Sequence, residues 1–471
     1  MDAFAQQRTA RRAQRLGLSQ LACLGRHTLT GLFCAGGRQG RDWSADYRFF
    51  AQDRWRVEDV FAPVLKGMLH LYPADGPFVA AMDDTHLKKS GTKIPGVAYR
   101  RDPLSPAFCT NFIRAQRFLQ LSGLLPAGSC PGPARAIPLH YQHVPPVPKP
   151  ARSASDQERK AYRQRRLLEN LSTAGVAAIA AMRRRLNEQD SGKDRLLVIG
   201  VDGSYTNKTV LKGLPGRTTL IGRIRKDAKL FHPPSPQDQA PRGTRRQYGP
   251  QTATPDQLRQ DESIPWRDVS AYAAGKTHVF RVKTIAPVLW AKAGSNCPLR
   301  LVVVAPVGYR LRAGGKLLYR QPAYLICTDP NLPLDQLLQY YLWRWDIEVN
   351  HRDEKQLIGV GQAQVRSAQS VQRDPAFAVA SYAMLLLAAA QTYGPNASAT
   401  SLPLPKWRKD KPRQRLSTQD LIQQLRQELW GHAIKTIEQD CDHFVSALPP
   451  DMKCPEIHLP LAAAVLYAAT G

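Results

Sequence analysis

The sequence holds no CxxC pair, and its eight cysteines (Cys23, Cys34, Cys109, Cys130, Cys297, Cys327, Cys441 and Cys454) are scattered, with no histidine at zinc-ligand spacing. That pattern excludes a zinc ribbon and a disulfide scaffold, and it predicts reduced core thiols in a cytosolic protein. No run of about 18 apolar residues is evident, and the start MDAFAQQRTARRAQRLG has no apolar stretch of the kind a secretion signal needs. Membrane spanning and export are therefore not expected. Acidic side chains are in deficit: 38 Asp and Glu face 66 Lys and Arg, a formal net charge of +28. An excess of that size calls for a polyanionic partner, nucleic acid above all. With 43% hydrophobic and 8% aromatic residues the chain is not a disordered basic tail, and 471 residues suffice for two or three domains around a sizeable core.

Residues 1–75 read as short helices with basic faces, Leu16, Leu18, Leu21 and Leu24 at helical spacing beside Arg8, Arg11, Arg12 and Arg15. They predict a helical, DNA-binding domain. From 76 to 206 the pattern changes to strands: PFVAAMDD is a short apolar run, FIRAQRFLQLSGLL a second, and RLLVIGVDG the clearest. Proline-rich residues 126–155 read as a linker or surface excursion, followed by a basic helix from about Asp156 to Asn187 with a solvated surface. Residues 207–332 carry short β-like runs and no long helix, a β-rich insertion. Helical periodicity resumes over 333–394, where DPAFAVASYAMLLLAAAQTYG is apolar nearly all round and belongs in the core. Residues 395–471 make a basic linker and a C-terminal helical region, with one amphipathic helix from about Thr418 to Ile437.

Within YLWRWDIEVNHRDEK, a helix at about 100° per residue places Tyr341, Arg344, Glu348 and Lys355 inside a sector of roughly 60° over about 21 Å. Intervals of three, four and seven make a stripe rather than a set of four-spaced ion pairs. A carboxylate flanked by cations can bind a divalent metal through oxygen while the cations neutralise phosphates. AAMDDT and VIGVDG each put an acidic residue where a buried strand runs out, the place where open α/β sheets hold ligands. A carboxylate there is costly unless a cation compensates.

Taken together, Tyr341-x2-Arg344-x3-Glu348-x6-Lys355 resembles the Y-x2-R-x3-E-x6-K signature of bacterial insertion-sequence transposases of the DDE superfamily, the insertion-sequence-four group or its near relatives. DDT and VDG stand where that family has its first and second aspartates. The resemblance covers about Pro77 to Ala390. It implies an RNase H-like mixed sheet with helices on both faces, interrupted by a β-insertion. It also implies cut-and-paste cleavage and joining of double-stranded DNA at terminal inverted repeats and target DNA, by a homodimer in the synaptic complex. Two Mg²⁺ ions, replaceable by Mn²⁺, would be held by Asp84, Asp202 and Glu348. Asp83 rivals Asp84, since neighbouring strand residues point to opposite faces; the family's habit of placing the catalytic Asp before a Thr favours Asp84, with Thr85 behind it. By the same resemblance Tyr341, Arg344 and Lys355 hold phosphates near the cleaved bond. Lys88 and Lys89, in an expected polar loop, and Arg223 and Arg225, in RIRKDAK, are candidate backbone contacts. A cytoplasmic, nucleoid-associated bacterial protein is implied. The rival reading is an inactive or repurposed descendant that only binds DNA.

Overall fold

The computed structural model describes residues 3–102, 105–106, 108–235, 246–312, 314–395, 415–438 and 465. The N-terminal stretch folds as α1 (Gln7–Ala22), α2 (Leu29–Ala35), α3 (Ser44–Ala51), one 3-10 turn (Asp59–Phe61) and α4 (Ala62–Leu71). Leu16 and Leu21 are buried as their spacing predicts. Arg12 and Arg15, expected on the basic face, instead converge with Arg38 on the buried carboxylate of Asp46, at 2.9, 2.6 and 3.2 Å.

The catalytic-type sheet begins with β1 (Phe78–Lys88), β2 (Ala98–Arg101), β3 (Phe112–Pro126) and β4 (Ala134–His143). After α5 (Asp156–Leu168) and α6 (Leu171–Asn187) come β5 (Leu197–Val201), α7 (Lys208–Lys212) and β6 (Thr218–Arg223). β1 pairs antiparallel with β3 and parallel with β5, and β5 runs parallel to β6. Helices cover both faces, which is why these strands are continuous apolar runs instead of alternating ones. This is an RNase H-like core.

The β-rich stretch supplies α8 (Pro255–Gln260), β7 (Arg267–Ala273), β8 (Lys276–Trp290), β9 (Gly294–Val304), the small pair β10 (Gly308–Tyr309) and β11 (Leu318–Tyr319), and β12 (Ala323–Cys327). Strands β7, β8, β9 and β12 extend the same sheet, because β12 pairs with β6; the order is β2-β3-β1-β5-β6-β12-β9-β8-β7, with β4 beside β3. Then come α9 (Leu334–Trp343), α10 (Asp346–Gln356), α11 (Ser370–Tyr393) and α12 (Thr418–Glu438). α11 is long and apolar enough to cross a membrane, an exception to the expectation that no such run exists, but 78% of that stretch is buried inside the protein. Phe49 and Phe50 meet its Phe377 edge to face and Trp55 meets it at a tilt, docking the N-terminal helices on it.

Several expectations are corrected. The proline-rich excursion contains β4, whose residues are nearly all buried. Its Pro138 sits at the irregularity where Leu121 pairs with His140 and Ser122 with Pro138, a place where a missing N–H is tolerated. The helix through YLWRWDIEVN is broken at Arg344 and Trp345 into α9 and α10, and the basic helix is broken at Glu169 and Asn170, where Asn170 caps α6. Among the described cysteines, Cys23 and Cys327 are buried, but Cys34, Cys109 and Cys130 are exposed free thiols. Most of the expected basic linker, with Cys441 and Cys454, lies outside the described residues.

Strand alternation divides the core. Ala80, Met82, Ile199 and Val201 pack with Ile179 and Met182 of α6. Val79, Ala81 and Val198 point the other way, against Leu337, Leu338 and Trp343 of α9 and Ile347 of α10.

Candidate active site

The register that pairs Met82 with Val201 carries Asp83 and Asp202 to neighbouring positions one residue further along. Their face is set by the residues two before them. Ala81 and Gly200 are paired, and a Cβ on Gly200 would lie 3.3 Å from Arg344 Cβ. Glycine therefore lets the α9–α10 junction approach the strand, and Asp83 and Asp202 face α10. There Arg344 Nη1 stands 3.4 Å from Asp83 Oδ2 and 3.8 Å from Glu348 Oε1. One nitrogen thus bridges two carboxylates from segments far apart in the chain.

The charge balance on this face is unfavourable to anions. Burial, then the charges of Asp202 and Glu348, push the Asp83 carboxyl up to about 8, against the backbone N–H of Asp84 and the Arg344 guanidinium. Asp202 is oriented by its own turn, accepting from Ser204 N at 2.9 Å and Ser204 Oγ at 3.1 Å. Among the described residues no group of three or more acidic, histidine or cysteine side chains lies close enough together to hold a metal ion.

Asp84 is one residue along and on the opposite face. Its Oδ1 accepts from the Tyr205 hydroxyl at 3.1 Å and its Oδ2 lies 3.2 Å from Arg117 Nε, with His86 Nε2 at 3.9 Å. Burial raises its carboxyl, while Arg117 and Tyr205 oppose the rise. The expected first ligand, Asp84, therefore lies on the face away from Glu348, whereas its rival Asp83 shares a face with Glu348.

The other expected residues are dispersed. Lys355, exposed, lies seven residues after Glu348 on the unbroken α10, so both share one helix face. Tyr341, half-buried before the break, lies under the Arg344 guanidinium at 5.8 Å. Arg223 ends β6 with an exposed side chain, and its carbonyl would lie 3.7 Å from a Cβ on Gly203, next to Asp202. Lys88 is exposed at the end of β1 and 3.7 Å from Asp102. Arg225 is exposed and paired with Asp227 at 2.8 Å. Lys89 is a correction: it is buried, and its Nζ donates to the carbonyls of Gly361 and Ala363 at 2.7 and 2.8 Å, so no phosphate can use it.

Sequence reading missed the polar chain that fixes α10. Gln120 Nε2 donates to Ser122 Oγ, Ser122 Oγ to Asn350 Oδ1, and Asn350 Nδ2 to Ala136 O, at 3.1, 3.0 and 3.1 Å. Asn350, two residues after Glu348, turns into the sheet as Glu348 turns out. An asparagine inside a charged helix was the available signal.

An RNase H-like sheet that brings Asp83, midway along β1, and Asp202, just past the end of β5, to the same face as Glu348 of α10 is the architecture of a nuclease- or transposase-type protein that acts on DNA. A family model described as DDE superfamily endonuclease matches residues 2–293, and the chain belongs to that family. The match contains Asp83, Asp84 and Asp202 and stops before Glu348. Members of this superfamily generally use divalent metals. No curated protein matches the sequence.

Proposed function

We propose that the chain is a cut-and-paste DNA transposase that cuts and rejoins the ends of a mobile element, with Asp83, Asp202 and Glu348 as its acidic triad and Asp83 in place of Asp84. One observation carries the reading: Asp83 shares its face with Asp202 and Glu348, and among the described residues the Arg344 guanidinium is the one cation within ion-pair distance of Asp83 and Glu348. That donor set fits hard divalent cations, Mg²⁺ with Mn²⁺ as a substitute, since every donor is oxygen and the buried Asp83 holds its charge poorly without one. When bound, such ions supply Lewis acidity for attack by water and for the departing oxygen.

The chain's own groups do the rest. Ser204 keeps Asp202 in one rotamer, and Asn350 anchors α10 so that Glu348 meets the strand ends. Arg344 can swing from carboxylate to phosphate while its stem rests on Gly200, and Lys355 offers a second cation two turns along the same face. Arg223, exposed at the end of β6 next to the Asp202 turn, and Lys88, exposed at the far end of β1, meet the flanking backbone. The freed 3′-hydroxyl then attacks target DNA, with no covalent protein–DNA bond, and two copies hold the two ends.

The test is nicking of a plasmid carrying the DNA that flanks the gene. Wild type should nick it with Mg²⁺ or Mn²⁺; Asp83→Ala, Asp202→Ala and Glu348→Ala should each bind but not cut. The second reading, an inactive DNA-binding descendant, draws on Arg344 already bridging Asp83 and Glu348. It wins if wild type binds DNA and cuts with neither metal.

A further inference from the structure

Helix α5 is anomalous in this fold. None of its 13 residues is buried, although a 13-residue helix is marginal without tertiary support. Its own local bonds hold it: a capping box between Ser155 and Glu158, Arg159 donating to the carbonyls of Ala154 and Arg152 at 3.1 and 2.7 Å, Arg165 paired with Glu169 at 2.9 Å, and Arg166 over the Tyr162 ring at 5.8 Å. Arg159, Arg163 and Arg166 recur at intervals of four and three, which places them on one face, with Lys160 beside them. All four are exposed. A helix that the body does not bury, and that carries a basic stripe, is complementary to a polyanion.

Its position is informative. Directly after α5, Asn170 caps α6, and Ser172 Oγ accepts from Asn207 Nδ2 at 2.9 Å. The same Nδ2 donates to Ser204 O at 2.8 Å, and Ser204 orients Asp202. The C-terminal end of α5 is thereby tied to the turn that carries Asp202, so the helix projects from the edge of the proposed reaction centre.

We infer that α5 is a DNA-gripping arm, whose Lys160, Arg163 and Arg166 contact backbone phosphates of the duplex flanking the cut bond. The placement of those phosphates rests on the triad reading; the contact itself does not. The full-length triple variant Lys160→Gln, Arg163→Gln, Arg166→Gln keeps the capping box, the Arg159 bonds and the Arg165–Glu169 pair and loses only the Arg166–Tyr162 contact, so its circular dichroism and urea midpoint should stay close to wild type. Binding to a fluorescein-labelled duplex of arbitrary sequence is followed by anisotropy across a salt series. Each lost phosphate contact lowers the log–log salt slope by about 0.9, so the slope should flatten by about 2–3 and the affinity at low salt should fall at least about tenfold. An unchanged slope and affinity overturns the inference. So does a dimer that becomes monomeric in Leu167→Ser, Leu168→Ser, both leucines being exposed at the end of α5, with DNA affinity untouched, since the helix would then be a self-association surface. If wild type never cuts DNA yet the slope still flattens, the triad reading fails and the arm stands.

Discussion

On one face of β1, Asp83 meets two further carboxylates and a single guanidinium. On the other, one residue along, Asp84 meets Arg117, the Tyr205 hydroxyl and a histidine. Burial raises both carboxyls, but the next largest influences differ: two carboxylates on Asp83, an arginine and a hydroxyl on Asp84. Around Asp84 the protein provides its own counter-charge, a finished structural network. Around Asp83 it leaves anions in excess, and a buried excess of that kind is tolerated where an external cation or a reacting group completes it. On the proposed reading, the functional member of the DD pair is decided by what packs over each face, not by the pair.

The sharpest way to break this comparison is to exchange the two. Asp83→Asn should lower metal-dependent nicking by at least about a thousandfold, which corresponds to about 4 kcal/mol of barrier. Asp84→Asn should keep most of the activity, because an amide still accepts from Tyr205. Rates of plasmid nicking decide it, and a silent Asp84→Asn beside an active Asp83→Asn would reverse the assignment.

A second test uses pH. The Asp83 carboxyl is raised to about 8 in the folded protein and lies near 3.9 in an unfolded chain. Between these values the folded state keeps a proton that the unfolded state releases, so stability falls as pH rises through that window. Asp83→Asn removes this dependence. Without divalent metal the variant should exceed wild type by about 1–3 kcal/mol near pH 8 and converge with it below about pH 4. Mg²⁺ should raise the melting temperature of wild type and leave that of the variant unmoved. Parallel melting curves at both pH values, or an equal response to Mg²⁺, would remove the case for Asp83 as a cation ligand.

The contrast also depends on α10 staying where it is. Asn350→Ala severs the bonds to Ser122 and Ala136 and leaves buried partners unsatisfied, so it should cost about 2 kcal/mol in urea denaturation. It should also slow nicking while leaving DNA affinity intact.

Much of this site was legible in the sequence. The apolar runs ending in Asp83-Asp84 and Asp202 read as buried strands because both faces of the sheet are covered. The seven-residue interval from Glu348 to Lys355 survives because α10 is unbroken there. What was hidden depends on distant packing. Period-two alternation says that Asp83 and Asp84 face apart, but only the α9–α10 junction seated on Gly200 says which face holds Glu348. Prolines masked β4, since nothing local shows that Pro138 falls at an irregularity. Lys89 reads as a loop cation until the turn after α10 supplies the carbonyls of Gly361 and Ala363.

The smallest expected effect probes the quiet face. Tyr205→Phe deletes the one hydroxyl that donates to Asp84 Oδ1. That hydrogen bond favours the ionised carboxylate, so its loss should raise the Asp84 carboxyl further. Arg117 still faces the other oxygen, and the aromatic ring stays in the buried cluster that also holds Met82, so the cost should be only about 1 kcal/mol of stability. If Asp84 only braces the turn after β5, nicking should stay within about threefold of wild type at each Mg²⁺ concentration. A drop rescued by higher Mg²⁺ would instead mean that Tyr205 orients a metal-binding carboxylate, and the division of labour between the two faces of β1 would be gone.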